Sequence, residues 1–244
     1  MRILLTRAPD EALRTAEKLA AQGHQIVSSP VLEMQPRAAA WPSGVIDGVI
    51  ATSAQAFEQA QFAPEWPLPE ARRLLRLFVV GSKTAEAARR CGFTGELTLA
   101  PDAKDLAEAI VNAMQPPARL AYLAGHDRKS DLEMRCKEMG LEIIAVEIYE
   151  ACAAESLSDE AVIALANGEI DAVLHYSRRS VEIFLALAEA AGISPGLVRH
   201  MAISADAAAP LQAAGFPFVM IAAEPKEQAI LALLSHNAAA GSVR

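Results

Sequence analysis

Six short stretches of this chain place hydroxyl or cationic side chains directly after an apolar run. They are Thr6-Arg7, Thr52-Ser53, Gly81-Ser82-Lys83-Thr84, Gly125-His126-Asp127-Arg128-Lys129, Ser177-Arg178-Arg179-Ser180 and Ser204-Ala205. Each leads into a helical pattern. A helix N-terminus presents unpaired N–H groups and the positive end of its dipole, so it favours an anion. Hydroxyls and guanidinium groups add directional, charge-assisted hydrogen bonds. The chemistry available is that of holding a multiply charged anion. The candidate binding residues are Thr6, Arg7, Ser53, Ser82, Lys83, Thr84, Arg128, Ser177, Arg178 and Ser204. Any one Ser or Thr here also reads as a helix N-cap, and any one Arg or Lys as a solvated surface cation. Their recurrence along the chain singles out the set.

Strong general bases are scarce. The five histidines (His24, His126, His175, His200, His236) show no metal-ligand spacing. His175 alternates with apolar residues and reads as structural; His126 reads as a surface-loop histidine. Cys91, Cys136 and Cys152 are odd in number and far apart, so they form neither a disulfide framework nor a CxxC pair. GSKTAEAARRCG lacks the GxxxxGK[ST] spacing of a P-loop, no GxGxxG follows the first apolar run, and there is no GxSxG elbow. No metal or cofactor is expected. Tyr149 is the one aromatic in an otherwise linker-like segment. It reads either as a half-buried packing residue or as a proton donor in a cleft.

Short apolar runs alternate with amphipathic windows throughout. Strands are predicted at Ile3–Thr6, Gln25–Ser28, Gly48–Thr52, Leu77–Val80, Leu97–Leu99, Leu120–Ala124, Glu142–Val146, Ala172–Tyr176, Met201–Ser204 and Phe218–Ala222. Helical stripes such as Leu132, Cys136 and Met139 lie between them. Such a βαβα order implies parallel sheets covered by helices. Gly23, Gly92, Gly140 and Gly215 stand where helices should end. A faint repeat divides the chain. DGVIATSAQAFEQA from Asp47 matches DAVLHYSRRSVEIF from Asp171, FVVGSKTAEAARRCGF from Phe78 matches MAISADAAAPLQAAGF from Met201, and the segment from Arg2 matches that from Arg119. The offsets are 124, 123 and 117 residues, which predicts two similar α/β units of about five strands each. SPVLEMQPR (29–37) and VEIYEACAAE (146–155) occupy equivalent places and read as extended crossovers. Pro64, Pro67 and Pro69 suggest a surface loop, and the tail after Asn237 is expected to fray.

The 244 residues carry 22 Lys and Arg against 30 Asp and Glu, a formal charge of −8. That argues against a general nucleic-acid binder, which carries a basic face. No apolar run reaches the roughly 18 residues of a membrane span, and the N-terminal apolar stretch is too short for a signal peptide. The expectation is a soluble, cytoplasmic protein, with no nucleic-acid or membrane partner. Without a sustained heptad, it is expected to be a monomer.

In order and spacing, LLTR, IATSAQA, VVGSKTAEA, YLAGHDRKSDLEMRCKEMGLEIIAVEIYEA and HYSRRSVEIF resemble the uroporphyrinogen-III synthase family. The resemblance runs from ILLTR to PKEQAILALL. It implies two doubly wound parallel-sheet α/β domains joined by a two-stranded linker, the first discontinuous (1–35 plus 153–244) and the second continuous (36–150). The implied reaction takes linear hydroxymethylbilane, which bears eight carboxylates, releases water, inverts the last pyrrole ring and closes the macrocycle without a cofactor. Loss of the hydroxyl gives an azafulvene, and a positioned weak acid assists it; by resemblance that acid is Tyr149. The chain departs from the family at ISADAAA, where a glycine and threonines are usual and Ser204, Asp206 and Ala207 stand instead. GHDRKSD also lacks the family's more usual Arg-Gly pair. Asp206 would repel a carboxylate unless it turns away. A hinged, non-catalytic two-domain anion-binding protein is the alternative reading, and a glycosyltransferase-like enzyme a third.

Overall fold

The computed structural model describes residues 1–60, 62 and 66–236, without the side chains of residues 10, 235 and 236. Pro64 and the tail from Asn237 therefore lie outside the described residues. In chain order the elements are β1 (Arg2–Leu5), α1 (Pro9–Ala20), β2 (Gln25–Ser28), β3 (Leu32–Pro36), β4 (Gly48–Ala51), α2 (Gln55–Glu58), α3 (Pro69–Arg72), β5 (Arg76–Val80), α4 (Gly81–Arg90), β6 (Leu97–Ala100), α5 (Ala103–Ala113), β7 (Arg119–Gly125), α6 (Asp131–Glu138), β8 (Glu142–Ala153), α7 (Asp159–Ala166), β9 (Ala172–His175), α8 (Arg178–Ala190), β10 (Arg199–Ala202), α9 (Ala205–Ala213), β11 (Val219–Ile221) and α10 (Glu227–His236).

Two compact units result: Met1–Glu33 with Cys152–Arg244, and Met34–Ala151. In unit 1 the sheet order is β11-β10-β9-β1-β2, with parallel pairing throughout. The sheet of unit 2 has the order β3-β8-β7-β4-β5-β6. Its pairs from β8 to β6 are parallel. Ten strands were expected; the eleventh among the described residues is β3, within the SPVLEMQPR crossover. The second crossover is a strand as well, because β8 continues seven residues beyond the predicted end at Val146 to Ala153. Both passages of the chain from one unit to the other fall inside β3 and β8.

Strand side chains alternate between faces, and parallel strands are buried on both. In β1, Ile3 and Leu5 enter one cluster and Leu4 the other. In β4, Val49 and Ala51 pack with Phe57, Trp66 and Phe93, whereas Ile50 packs with Phe78, Leu106 and Tyr122. These runs therefore read as continuous apolar stretches. The four predicted helix-ending glycines have φ between 75° and 84°, a region closed to most side chains. Gly81, with φ 75°, lets the chain turn from β5 directly into α4.

Unit 1 buries a histidine pair. His175 on β9 and His200 on β10 are both fully buried, with His175 Nε2 3.0 Å from His200 Nδ1 and His200 Nε2 3.1 Å from the Pro195 carbonyl. His200 must donate from Nε2 to Pro195, so its Nδ1 accepts from His175. The remaining nitrogen, His175 Nδ1, is buried without a partner. Burial, then the neighbouring His200, lowers the His175 pKa well below its ordinary value of 6.5; burial also lowers that of His200. The unfolded chain therefore binds protons that the native state refuses. Stability is complete above pH 6.5 and declines as pH falls below it. The urea midpoint should be flat from pH 8 to 7 and drop between 6.5 and 5. His175→Gln should remove up to about 1.4 kcal/mol per pH unit from that slope; an unchanged slope would refute the assignment.

Candidate functional site

Parallel sheets put the strand carboxyl ends on one edge, and ligands favour the point where connections leave in opposite directions. In unit 1 that point lies between β1 and β9; in unit 2 it lies between β4 and β7. Candidate residues gather at both.

At the unit 1 switch point, Thr6 is buried and its hydroxyl lies 3.3 Å from the Leu174 carbonyl, so it serves the fold. Arg7 follows it and stacks on Tyr176, with the guanidinium carbon 3.8 Å from the ring centroid. It also pairs with Glu11 at 3.1 Å and Glu227 at 2.9 Å. Ser177 caps α8, accepting from the Ser180 N–H at 3.1 Å. Ser204 caps α9, accepting from the Ala207 N–H at 3.2 Å. Arg178 is exposed, with Glu182 at 2.9 Å and Asp206 at 3.6 Å. Asp206 thus faces a cation.

At the unit 2 switch point, the Tyr122 hydroxyl and Thr52 Oγ1 are 2.9 Å apart. Burial raises the Tyr122 pKa, opposed by the Thr52 hydrogen bond. Ser53 Oγ accepts from the Gln55 N–H at 3.3 Å. Ser82 and Lys83 are exposed at the start of α4. Thr84 is a correction: it is buried inside that helix and neither caps it nor meets solvent. Arg128 sits between Glu133 and Glu147, each at 3.0 Å. Burial alone would lower its pKa, but these two partners raise it. His126 Nδ1 is 2.9 Å from Glu147, and the His126 and Arg128 hydrogen bonds hold that carboxyl below its ordinary range.

Tyr149 stands on β8 opposite Gly125, where a register shift after Ala124 breaks the β7–β8 ladder. Such a bulge re-aims the side chain that follows. The phenol end of the ring occupies the space beside Gly125: a Cβ there would sit 2.8 Å from Cε2 and 3.2 Å from the hydroxyl. Among the described residues the Tyr149 hydroxyl has no hydrogen-bond partner within this unit, leaving a phenolic O–H beside the switch point.

Tyr176 and Glu227 were not among the sequence candidates. Tyr176 ended a predicted strand, and nothing in the sequence links Glu227 to Arg7. Burial pushes the Cys136 thiol up to about 11 and raises that of Cys91, which disfavours the thiolate at both. Among the described residues no three His, Cys, Asp or Glu side chains gather in a way that could hold a metal.

The family model of uroporphyrinogen-III synthase HemD (HEM4) matches residues 14–232, most of the chain. The chain belongs to the uroporphyrinogen-III synthase family. Uroporphyrinogen-III synthases are cyclising lyases of heme biosynthesis that act on the small molecule hydroxymethylbilane. A crystal structure of uroporphyrinogen-III synthetase from Helicobacter pylori shares the fold, with TM-score 0.57 and 18% identity over 97% of this chain and 99% of that one. A mutant uroporphyrinogen III synthase from Thermus thermophilus gives TM-score 0.47 and 19% identity over 100% of both chains. No curated protein matches by sequence. Among the described residues no helix is long and apolar enough to cross a membrane.

Gly125 makes room for the Tyr149 ring, so Gly125→Ala should displace that ring. The new methyl meets the end of a side chain, so the stability loss should stay within about 1–3 kcal/mol. Formation of uroporphyrinogen III should fall about as far as in Tyr149→Phe. Wild-type turnover in Gly125→Ala would show that the ring position does not matter.

Proposed function

We propose that this chain converts hydroxymethylbilane to uroporphyrinogen III, with Tyr149 as the proton donor to the departing hydroxyl. The family match over residues 14–232 carries the reading. The Tyr149 phenol supports the residue assignment, because it is an unpartnered weak acid on a re-aimed strand position. In the first step the C–O bond of the hydroxymethyl group breaks. The hydroxyl leaves with a proton from the phenol as water, and the pyrrole electron pair forms the azafulvene. The substituted carbon of the last ring attacks that electrophile, and its older bond to the bridging methylene then breaks. The methylene, now itself electrophilic, is attacked by the free α-carbon of the same ring. The proton that carbon loses returns to the Tyr149 phenolate, so the ring is inverted, the macrocycle is closed and one water is released. Positioning the chain supplies most of the rate.

The substrate's carboxylates are held by donors at strand ends. Ser82 and Lys83, at the start of α4, are exposed. Ser53, Ser177 and Ser204 mark further helix starts, whose N–H groups attract carboxylate. Arg7, Arg128 and Arg178 are cations already paired with carboxylates, so the substrate binds them by exchanging partners. We read the protein as a cytoplasmic monomer that needs no cofactor, an expectation carried by its sequence.

The test is to supply freshly generated hydroxymethylbilane and separate the oxidised products by isomer. Type III should predominate, against type I in the protein-free control. Type I alone, from folded protein, would overturn the reading. Tyr149→Phe keeps the ring and its packing and should lower kcat by about 10²-fold or more. Wild-type kcat in that variant would leave Tyr149 only a packing role.

A further inference from the structure

A cavity of about 260 Å³ opens at the unit 1 switch point, lined by Arg7, Glu11, Arg14, Lys18, Tyr176, Ile203 and Glu227. Three of the seven are cations and two are carboxylates, so the lining carries a net positive charge in a chain whose total is −8. The Tyr176 hydroxyl is buried there without a partner of hydrogen-bonding geometry, although Thr15 and Arg7 stand beside it. Burial raises its pKa, with Arg7 opposing, so it remains a neutral O–H donor. A buried phenol without a partner is unfavourable, and an entering oxygen would relieve it.

Glu227 shows which ligand suits the cavity. Its Oε1 accepts from Arg7 Nη1 at 2.9 Å and lies 2.6 Å from Thr15 Oγ1, while its Oε2 pairs with Lys18. Burial alone would raise its pKa; the Lys18 and Thr15 hydrogen bonds prevail and lower it. The cavity thus already solvates one carboxylate, supplied by α10 of the same chain. Its volume is below the roughly 300–1,000 Å³ of a drug-sized ligand pocket. It suits a carboxylate side arm rather than a whole tetrapyrrole.

We propose that this cavity is a subsite for one carboxylate side arm of the substrate. Tyr176 and Lys18 are its contact residues, and Glu227 is a built-in competing anion. The proposal rests on the activity read above. Tyr176, Lys18 and Glu227 are specificity-determining residues here and take no part in proton transfer.

The test measures KM and kcat for hydroxymethylbilane in the full-length protein. Lys18→Gln and Tyr176→Phe should raise KM about three- to tenfold, the scale of one weak polar contact, with kcat changed less than about twofold. Glu227→Gln keeps the side-chain shape but removes the competing charge, so it should lower KM. A residue that merely braces the fold would not give this opposite sign. An unchanged KM in Lys18→Gln and Tyr176→Phe at wild-type melting temperature would overturn the subsite. So would a KM that rises in Glu227→Gln. Failure of the wild type to make type III product would instead strike the activity itself, which separates the two outcomes.

Discussion

Parallel pairing is the constraint on which the rest depends. A parallel strand cannot return to its neighbour through a tight turn; it needs a crossover, usually a helix. Helices then cover both faces, which is why β1, β4 and β7 are apolar at every position they bury. The same rule puts every strand's carboxyl end on one edge, next to the N-terminus of the following helix. The edge that stability requires is therefore also the edge rich in unpaired N–H groups. Where connections diverge, between β1 and β9 and between β4 and β7, no crossover covers that edge. Arg7 with Tyr176, and Thr52 with Tyr122, stand at those two places.

Charge is handled by local compensation. Arg7, Arg128 and Arg178 each have at least two carboxylates within reach, at 2.9–3.1, 3.0 and 2.9–3.6 Å. Partly exposed ion pairs contribute little net stability, so trading an internal carboxylate for a ligand's is nearly balanced. A ligand with a single carboxylate gains little by that exchange. One that bears several in a fixed arrangement sums the small gains and loses its translational freedom only once. Each cation is neutralised by its own neighbours, in keeping with the chain's negative total.

Much of this was legible in the sequence. Short apolar runs marked the strands, the terminal glycines marked the helix ends, and the offset repeat marked the two units. The extended crossovers were legible too; that both are strands was implied by the family resemblance and not by local pattern, because pairing depends on a partner far along the chain. Thr84 looked like a cap since its neighbours are small and polar; only the packed helix shows it facing the core. Thr6 likewise spends its hydroxyl on the Leu174 carbonyl, 168 residues away.

Composition and periodicity alone determined that this chain would build parallel α/β units with hydroxyls and cations at their strand ends, because those signals are local. Only the tertiary structure decided which charges are already neutralised, which phenol lacks a partner, and how a bulge turns Tyr149. These are contacts between residues far apart in the chain, such as Arg7 and Glu227, 220 positions apart. Local propensity carries no trace of them, since a side chain's partners are fixed only when the crossovers bring distant strand ends to the same edge.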